Sequence, residues 1–323
     1  MATGRASGLS VSAVSITLGA SFHEGIILST TMKLALGSLV VGCAVLGLKT
    51  LAWALTGSVA LLSDALESMV NVVTAFVALI AIRIAARPAD ANHPYGHHKA
   101  EFFSAVFEGV MIILAALLIL REAYEGLMAP HALDAPLVGI VINLLATVIN
   151  GVWSRVLITR GRREKSPALV ADGKHLLTDV LTSAGVVMGV LLAMTTGWWL
   201  LDPLVAVLVA INIIWSGWQV IRESLSGLMD EAVPGETLEL IRQVITSTGE
   251  GAVEAHDVRT RHAGRMTFID FHLVVPGETT VFHAHEICDR IEAGLKKALG
   301  EVRVTIHVEP EHKSECTGVI LFD

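Results

Sequence analysis

The chain has 323 residues, 53% of them hydrophobic and only 17% charged, with a mean hydropathy of +0.64 and a formal net charge of −8. A soluble domain usually carries about 25% charged residues, so the deficit argues against a soluble globular protein and points to a membrane. The acidic balance, with no strongly basic surface, argues against a nucleic-acid partner. Cys43, Cys288 and Cys316 are scattered with no CxxC, which predicts thiols and no structural disulfide.

Residues 1–32 open with MATGRASGLSVSAVS and are rich in Ser, Thr and Gly. No clean apolar region with a small-residue cleavage site stands out, so they read as a flexible leader rather than a cleaved signal peptide. About 20 apolar residues span a bilayer as a helix. Segments of this kind lie at 34–55, 58–83, 103–126, 135–158, 168–193 and 199–222, with Gly57 and Ser58 turning the chain between the first two. Arg83, Arg87 and Lys99 flank the second loop, and Arg155, Arg160, Arg162, Arg163 and Lys165 crowd the fourth, whereas the first and fifth loops hold no Lys or Arg. The positive-inside rule then puts both termini in the cytoplasm, with Trp53, Trp198 and Trp199 at the outer interface.

After residue 230 the pattern changes. GETLELIRQVITST has helical periodicity, VEAHDVRTRHA and RMTFIDFHLVV alternate as strands around Gly264, VFHAHEICDRIEAGLKKAL is an amphipathic helix, and VRVTIHVEP is a third strand. The expected fold is therefore an all-α bundle of six transmembrane helices followed by an α+β ferredoxin-like (αββαβ) domain. The boundaries fall at 33–229 for the bundle, 230–312 for the cytoplasmic domain and 313–323 for a partly ordered tail.

Within the second segment, LLSDALESMVN carries Asp64, Glu67 and Asn71 on one helical face, at i, i+3 and i+7. A carboxylate at the centre of a spanning helix costs roughly 2.5–3.5 kcal/mol on insertion scales. The fifth segment, DGKHLLTDVLTS, places His175 and Asp179 at i, i+4 and at similar depth. Glu67, Asn71, His175 and Asp179 would supply one imidazole and three oxygen donors, a tetrahedral set for a divalent cation. The alternative is a polar patch that only joins helices; two matched spacings of ligand-type residues favour the metal.

The loop ADANHPYGHHKAE holds Asp90, His93 and His97, which the turn at Pro94 and Gly96 brings together, although a solvated loop fits equally well. In the C-terminal domain, alternation puts Asp270 and His272 on one strand face, and His307 and Glu309 on one face of the last strand. Together with His256 and His285 these resemble zinc ligation. His262, His283 and His312, taken singly, read as surface histidines.

Six spans, SDALES…N, HPYGHHKAE, HLLTD and AHDVRTR…FHL…AHEICD…IHVEP together resemble the cation diffusion facilitator family, in its bacterial zinc/iron efflux form, over about residues 33–310. The resemblance implies a non-enzymatic homodimeric metal/proton antiporter of the inner (plasma) membrane. It would export Zn²⁺, or Fe²⁺, Co²⁺, Cd²⁺ or Mn²⁺, by alternating access. It implies no catalytic cofactor; the metal is substrate and structural ligand. Carried over, the transport site is Glu67, Asn71, His175 and Asp179, the loop site Asp90, His93 and His97, and the cytoplasmic site His256, His272, His285, His307 and Glu309, which in the family helps join two terminal domains. Lys99 and Asp230 match a charge pair that ties the membrane part to the cytoplasmic part and to the dimer. The chain departs from the pattern at Glu67/Asn71, where the family has Asp or His followed by Asp, and at Glu309, where it has Asp. Asp64 would stand in for the lost charge. The Asn71 departure also motivates an alternative, a metal-sensing or scaffold membrane protein of the same fold that has lost transport.

Overall fold

The computed structural model describes residues 29–56, 59–128, 137–197, 200–314 and 320–321. The expected Gly57–Ser58 turn, most of the leader, Trp198, Trp199 and Cys316 lie outside the described residues, as do the side chains of Asp64 and Glu67.

Long helices form where the apolar segments fall: α1 (Thr30–Thr56), α2 (Val59–Ala85), α3 (Ala100–Met128), α4 (Leu137–Arg163), α5 (Pro167–Thr196) and α6 (Leu201–Leu228). At 1.5 Å per residue each is about 40 Å long, enough to cross a hydrocarbon core of about 30 Å. Among the described residues, Thr30–Leu55, Ser68–Ala85, Ala100–Glu125 and Pro203–Leu228 are apolar enough to span by composition. The other two helices are more polar: α4 ends in Arg155, Arg160, Arg162 and Arg163, and the first half of α5 carries Asp172, Lys174 and Asp179. The start of α5 is written in KSPAL. Ser166 caps the helix by accepting from Leu169 N, and Pro167 takes the first helical position, where a missing N–H costs nothing.

Close packing in the bundle depends on glycine. A Cβ at Gly109 of α3 would stand 3.1 Å from the carbonyl of Gly217 in α6, and the reverse holds equally. The two backbones therefore pass in direct contact, as small residues allow in membrane helices.

The C-terminal domain contains α7 (Gly235–Thr248), β1 (Glu254–Ala263), β2 (Met266–Val275), α8 (Val281–Leu299) and β3 (Val302–Pro310), the expected αββαβ order. A short strand, β4 (Ile320–Leu321), follows, and the sheet order is β3-β2-β1-β4. β4 pairs with Glu254 and Ala255 of β1, so part of the tail belongs to the sheet. β1 and β2 are antiparallel around Gly264, whose φ of +56° suits a tight turn, and β3 lies parallel to β2 after the α8 crossover. Strand alternation divides the sheet. Ile269, Phe271 and Leu273 pack with Ile241 and Ile245 of α7 and with Ile291 and Leu295 of α8. The intervening residues, including Phe268, Asp270 and His272, point to the opposite, open face.

A bulge breaks the β1–β2 register between His256 and Arg259, with Asp257 at φ +51°. It lets His256 lie directly across from His272 while Arg259 lies across from Asp270.

Candidate metal centres

The membrane centre is formed by α2 and α5. Asn71, His175 and Asp179 are all buried. The Asn71 side-chain amide donates to Asp179 Oδ2. Asn71 Oδ1 and both ring nitrogens of His175 have no hydrogen-bond partner among the described residues. A neutral imidazole carries one N–H and one lone pair. Leaving both unmet in an apolar interior is costly unless something else meets them. The α2 backbone puts Glu67 four residues before Asn71, on the same helical face. The structure thus brings Asn71, His175 and Asp179 together; Glu67 and Asp64 enter by helix position alone.

The loop centre is a small folded turn. Asp90 Oδ1 accepts from the backbone N–H of His93 at 2.7 Å and of Asn92 at 2.9 Å. The His93 N–H, foremost, holds the Asp90 carboxyl below its ordinary value of 3.8. Gly96, at φ +86°, turns the chain back so that the His97 ring centroid lies 4.3 Å from that of His93. One ligand atom from each of Asp90, His93 and His97 falls within 4.8 Å of the others. The expected convergence is present, and a group of this spacing can accept a divalent cation.

The cytoplasmic centre occupies the open face of the sheet. His256 Nε2 is 3.5 Å from one Glu309 oxygen and His272 Nδ1 is 3.6 Å from the other. The three form a second potential ligand group within 4.8 Å, drawn from three strands. Two imidazole nitrogens and a carboxylate fit a borderline dication such as Zn²⁺. His307 sits beside this trio, its ring centroid 4.9 Å from that of His272. His285 does not join it: it is exposed on α8, with Nε2 3.7 Å from Asp289. α8 packs on the other face of the sheet.

Sequence reasoning missed Glu254. Its carboxylate is fully buried; Oε1 is 2.8 Å from His256 Nδ1, and Oε2 accepts from Ser314 Oγ. A carboxylate behind a ligating histidine fixes the tautomer and leaves the other nitrogen for the metal. The signal was present in VEAHDV, where residues two apart share a strand face.

Lys99 and Asp230 form the expected pair at 2.9 Å, and Lys99 also donates to the Leu228 carbonyl. Arg261, which the sequence did not single out, reaches Asp230 at 3.1 Å and lies 4.2 Å over the Phe268 ring and 5.3 Å from the Tyr95 ring. The second loop is thereby held against the sheet. The Lys99 ammonium first, and then the Arg261 guanidinium, hold the Asp230 carboxyl below its ordinary range.

Compared with known proteins, residues 35–229 match the cation efflux transmembrane domain and residues 233–311 match the cytoplasmic domain of cation efflux proteins. The chain belongs to the cation efflux family. It is 46% identical over 267 residues to the uncharacterized transporter sll1263 of Synechocystis sp., covering 83% of this chain and 86% of that one. It is 31% identical over 281 residues to the cation-efflux pump FieF of Citrobacter koseri, covering 86% of this chain and 92% of that one. A solved structure of CzrB in its Zn form is 45% identical, with a TM-score of 0.26, over 27% of this chain and 98% of that one. As a cation efflux protein the chain is a multi-pass membrane transporter with a cytoplasmic C-terminal domain, and it is not an enzyme.

Proposed function

We propose that this cation efflux protein exchanges a divalent transition metal, Zn²⁺ or one of Fe²⁺, Co²⁺, Cd²⁺ and Mn²⁺, for protons, and exports it from the cytoplasm. It works as a homodimer in the inner membrane with both termini cytoplasmic. The transport set is Glu67, Asn71, His175 and Asp179. The observation that carries this reading is His175, buried in the first third of α5 with both ring nitrogens unmet beside the Asn71–Asp179 pair.

The mechanism follows from competition for the same atoms. A metal needs a neutral imidazole and ionised carboxylates, so its arrival displaces protons. Protons arriving from the outer side compete for Asp179, Glu67 and His175 and free the metal there. Rocking of the helices about this fixed mid-membrane set supplies alternating access. The cytoplasmic trio of His256, His272 and Glu309, with His307 beside it, holds a structural dication. The loop set of Asp90, His93 and His97 holds another. Lys99 and Asp230 couple the two domains.

Alanine at Glu67, His175 or Asp179 should abolish Zn²⁺ uptake into inside-out vesicles while the protein stays assembled. Undiminished flux in all three would defeat the assignment.

A further inference from the structure

The proposed transport set leaves other buried acid in the bundle unused. Glu108 of α3 is fully buried, and neither carboxylate oxygen has a hydrogen-bond partner among the described residues. Ser104, one turn earlier on the same helical face, is buried with its hydroxyl equally unmet. Asp172 of α5 is buried as well, and accepts a hydrogen bond from Ser38 of α1. These parts of α3 and α5 meet: Ala105 and Ile112 share one apolar cluster with Ala171. Asp172 directly follows Ala171 of that cluster, and Glu108 lies between its members Ala105 and Ile112 on α3.

The position matters as much as the chemistry. Asp172, His175 and Asp179 fall at i, i+3 and i+7, along one face of α5. Asp172 lies roughly 8 Å along the axis from the start of α5, and Glu108 roughly 12 Å from the start of α3. Both helices start at the end of the bundle where Lys99 bonds the Leu228 carbonyl and the cytoplasmic domain begins. Asp172 therefore stands on the cytoplasmic side of the His175–Asp179 set, and Glu108 lies about level with His175, itself roughly 12 Å from the start of α5. Lys174 pairs with Glu223 at 3.0 Å, and Glu101 accepts from Ser166. Among the described residues no hydrogen bond or ion pair reaches Glu108. Two carboxyl groups in a dry interior are neutralised either by protonation or by a cation between them.

We propose that Glu108 and Asp172, with the Ser104 hydroxyl, form a second intramembrane cation site, beside the transport set on its cytoplasmic side. It rests on the transport reading above. Its occupant is a cation neutralised by the two carboxylates, either the dication on its way in or the proton that moves against it.

The test uses the full chain in lipid nanodiscs with Zn²⁺ as probe. Two counts are taken at equilibrium: Zn²⁺ bound per protomer, and protons released per Zn²⁺ in weak buffer with a pH-sensitive dye. Glu108→Gln and Asp172→Asn are each expected to lower one count. A loss of one bound Zn²⁺ identifies the dication as occupant. Unchanged Zn²⁺ with about one proton fewer released identifies the proton. Both counts at wild-type values in an assembled Glu108→Gln or Asp172→Asn protein would overturn the site. Should Glu108→Gln fail to assemble, Asp172→Asn is judged on the same counts. His175→Ala run alongside separates the two claims, because wild-type Zn²⁺ binding there would defeat the transport set itself.

Discussion

Glu254 and His256 stand two residues apart on β1 and meet at 2.8 Å, with the acid fully buried behind the imidazole and the imidazole facing Glu309 on the far side. The contact orients His256 so that Nε2, not Nδ1, is offered to a metal. Glu254→Ala should weaken Zn²⁺ binding at the cytoplasmic centre by about 10–100-fold, the usual cost of losing such a partner. Calorimetric titration of the full chain with the membrane centre disabled by His175→Ala measures this. Glu254→Gln retains an acceptor and should recover part of the loss. Equal affinity in all three proteins would show that Glu254 serves packing alone.

Asp230 governs how the domains hold together with pH. Its folded-state value lies below the ordinary 3.8, so its contribution is fully present above that value and is lost as pH falls through the lower, folded-state value. Docking of the second loop on the sheet should be constant from about pH 5 to 8 and weaken only below about pH 4. Asp230→Asn should show the loosened state at every pH. Hydrogen exchange over residues 90–99 reports the difference.

Gly109 sets the α3–α6 crossing. A methyl group there would lie 2.6 Å from Ile221 Cγ1 and 3.1 Å from the Gly217 carbonyl. Gly109→Ala should destabilise the bundle by about 1–3 kcal/mol, the range for overpacking a close contact. Thermal unfolding in detergent, compared with Gly47→Ala where nothing lies within 4 Å, isolates the effect.

Asn71 is where this chain departs from the family pattern it resembles. Its amide now donates to Asp179, a bond that Asn71→Asp would replace with two facing carboxylates. The extra negative charge should tighten metal binding at neutral pH and steepen its loss on acidification, since one more proton competes. Metal affinity between about pH 6 and 8 in Asn71→Asp, Asp64→Asn and the double variant tests it. An unchanged affinity and pH slope in Asn71→Asp would remove Asn71 from the ligand set.

Much of this was legible in the chain itself. Long apolar runs mark helices because lipid offers the backbone no partners, and alternation in β1 and β2 puts His272 on the open face before any coordinates are known. The i, i+4 spacing of His175 and Asp179 places them together for the same geometric reason. What was not legible depended on contacts between distant segments. Two residues, Ile320 and Leu321, are too few to carry a strand pattern, and β4 exists only because β1 offers an edge. The bulge at Asp257 shifts register without any residue type that announces it. Glu108 reads as one more helical glutamate until α5 and α6 close around it. His285 shares its motif with the other histidines but sits on the helix across the sheet, which spacing alone does not reveal.

The central claim is that metal and protons compete for the buried set around His175 and Asp179. The most direct measurement is Zn²⁺ uptake into inside-out vesicles with simultaneous recording of lumenal pH. The account predicts Zn²⁺ influx coupled to proton efflux in the native protein, and loss of both in His175→Ala and Asp179→Ala proteins that remain assembled. Zn²⁺ flux without proton movement, or native flux in the Asp179→Ala protein, would contradict it.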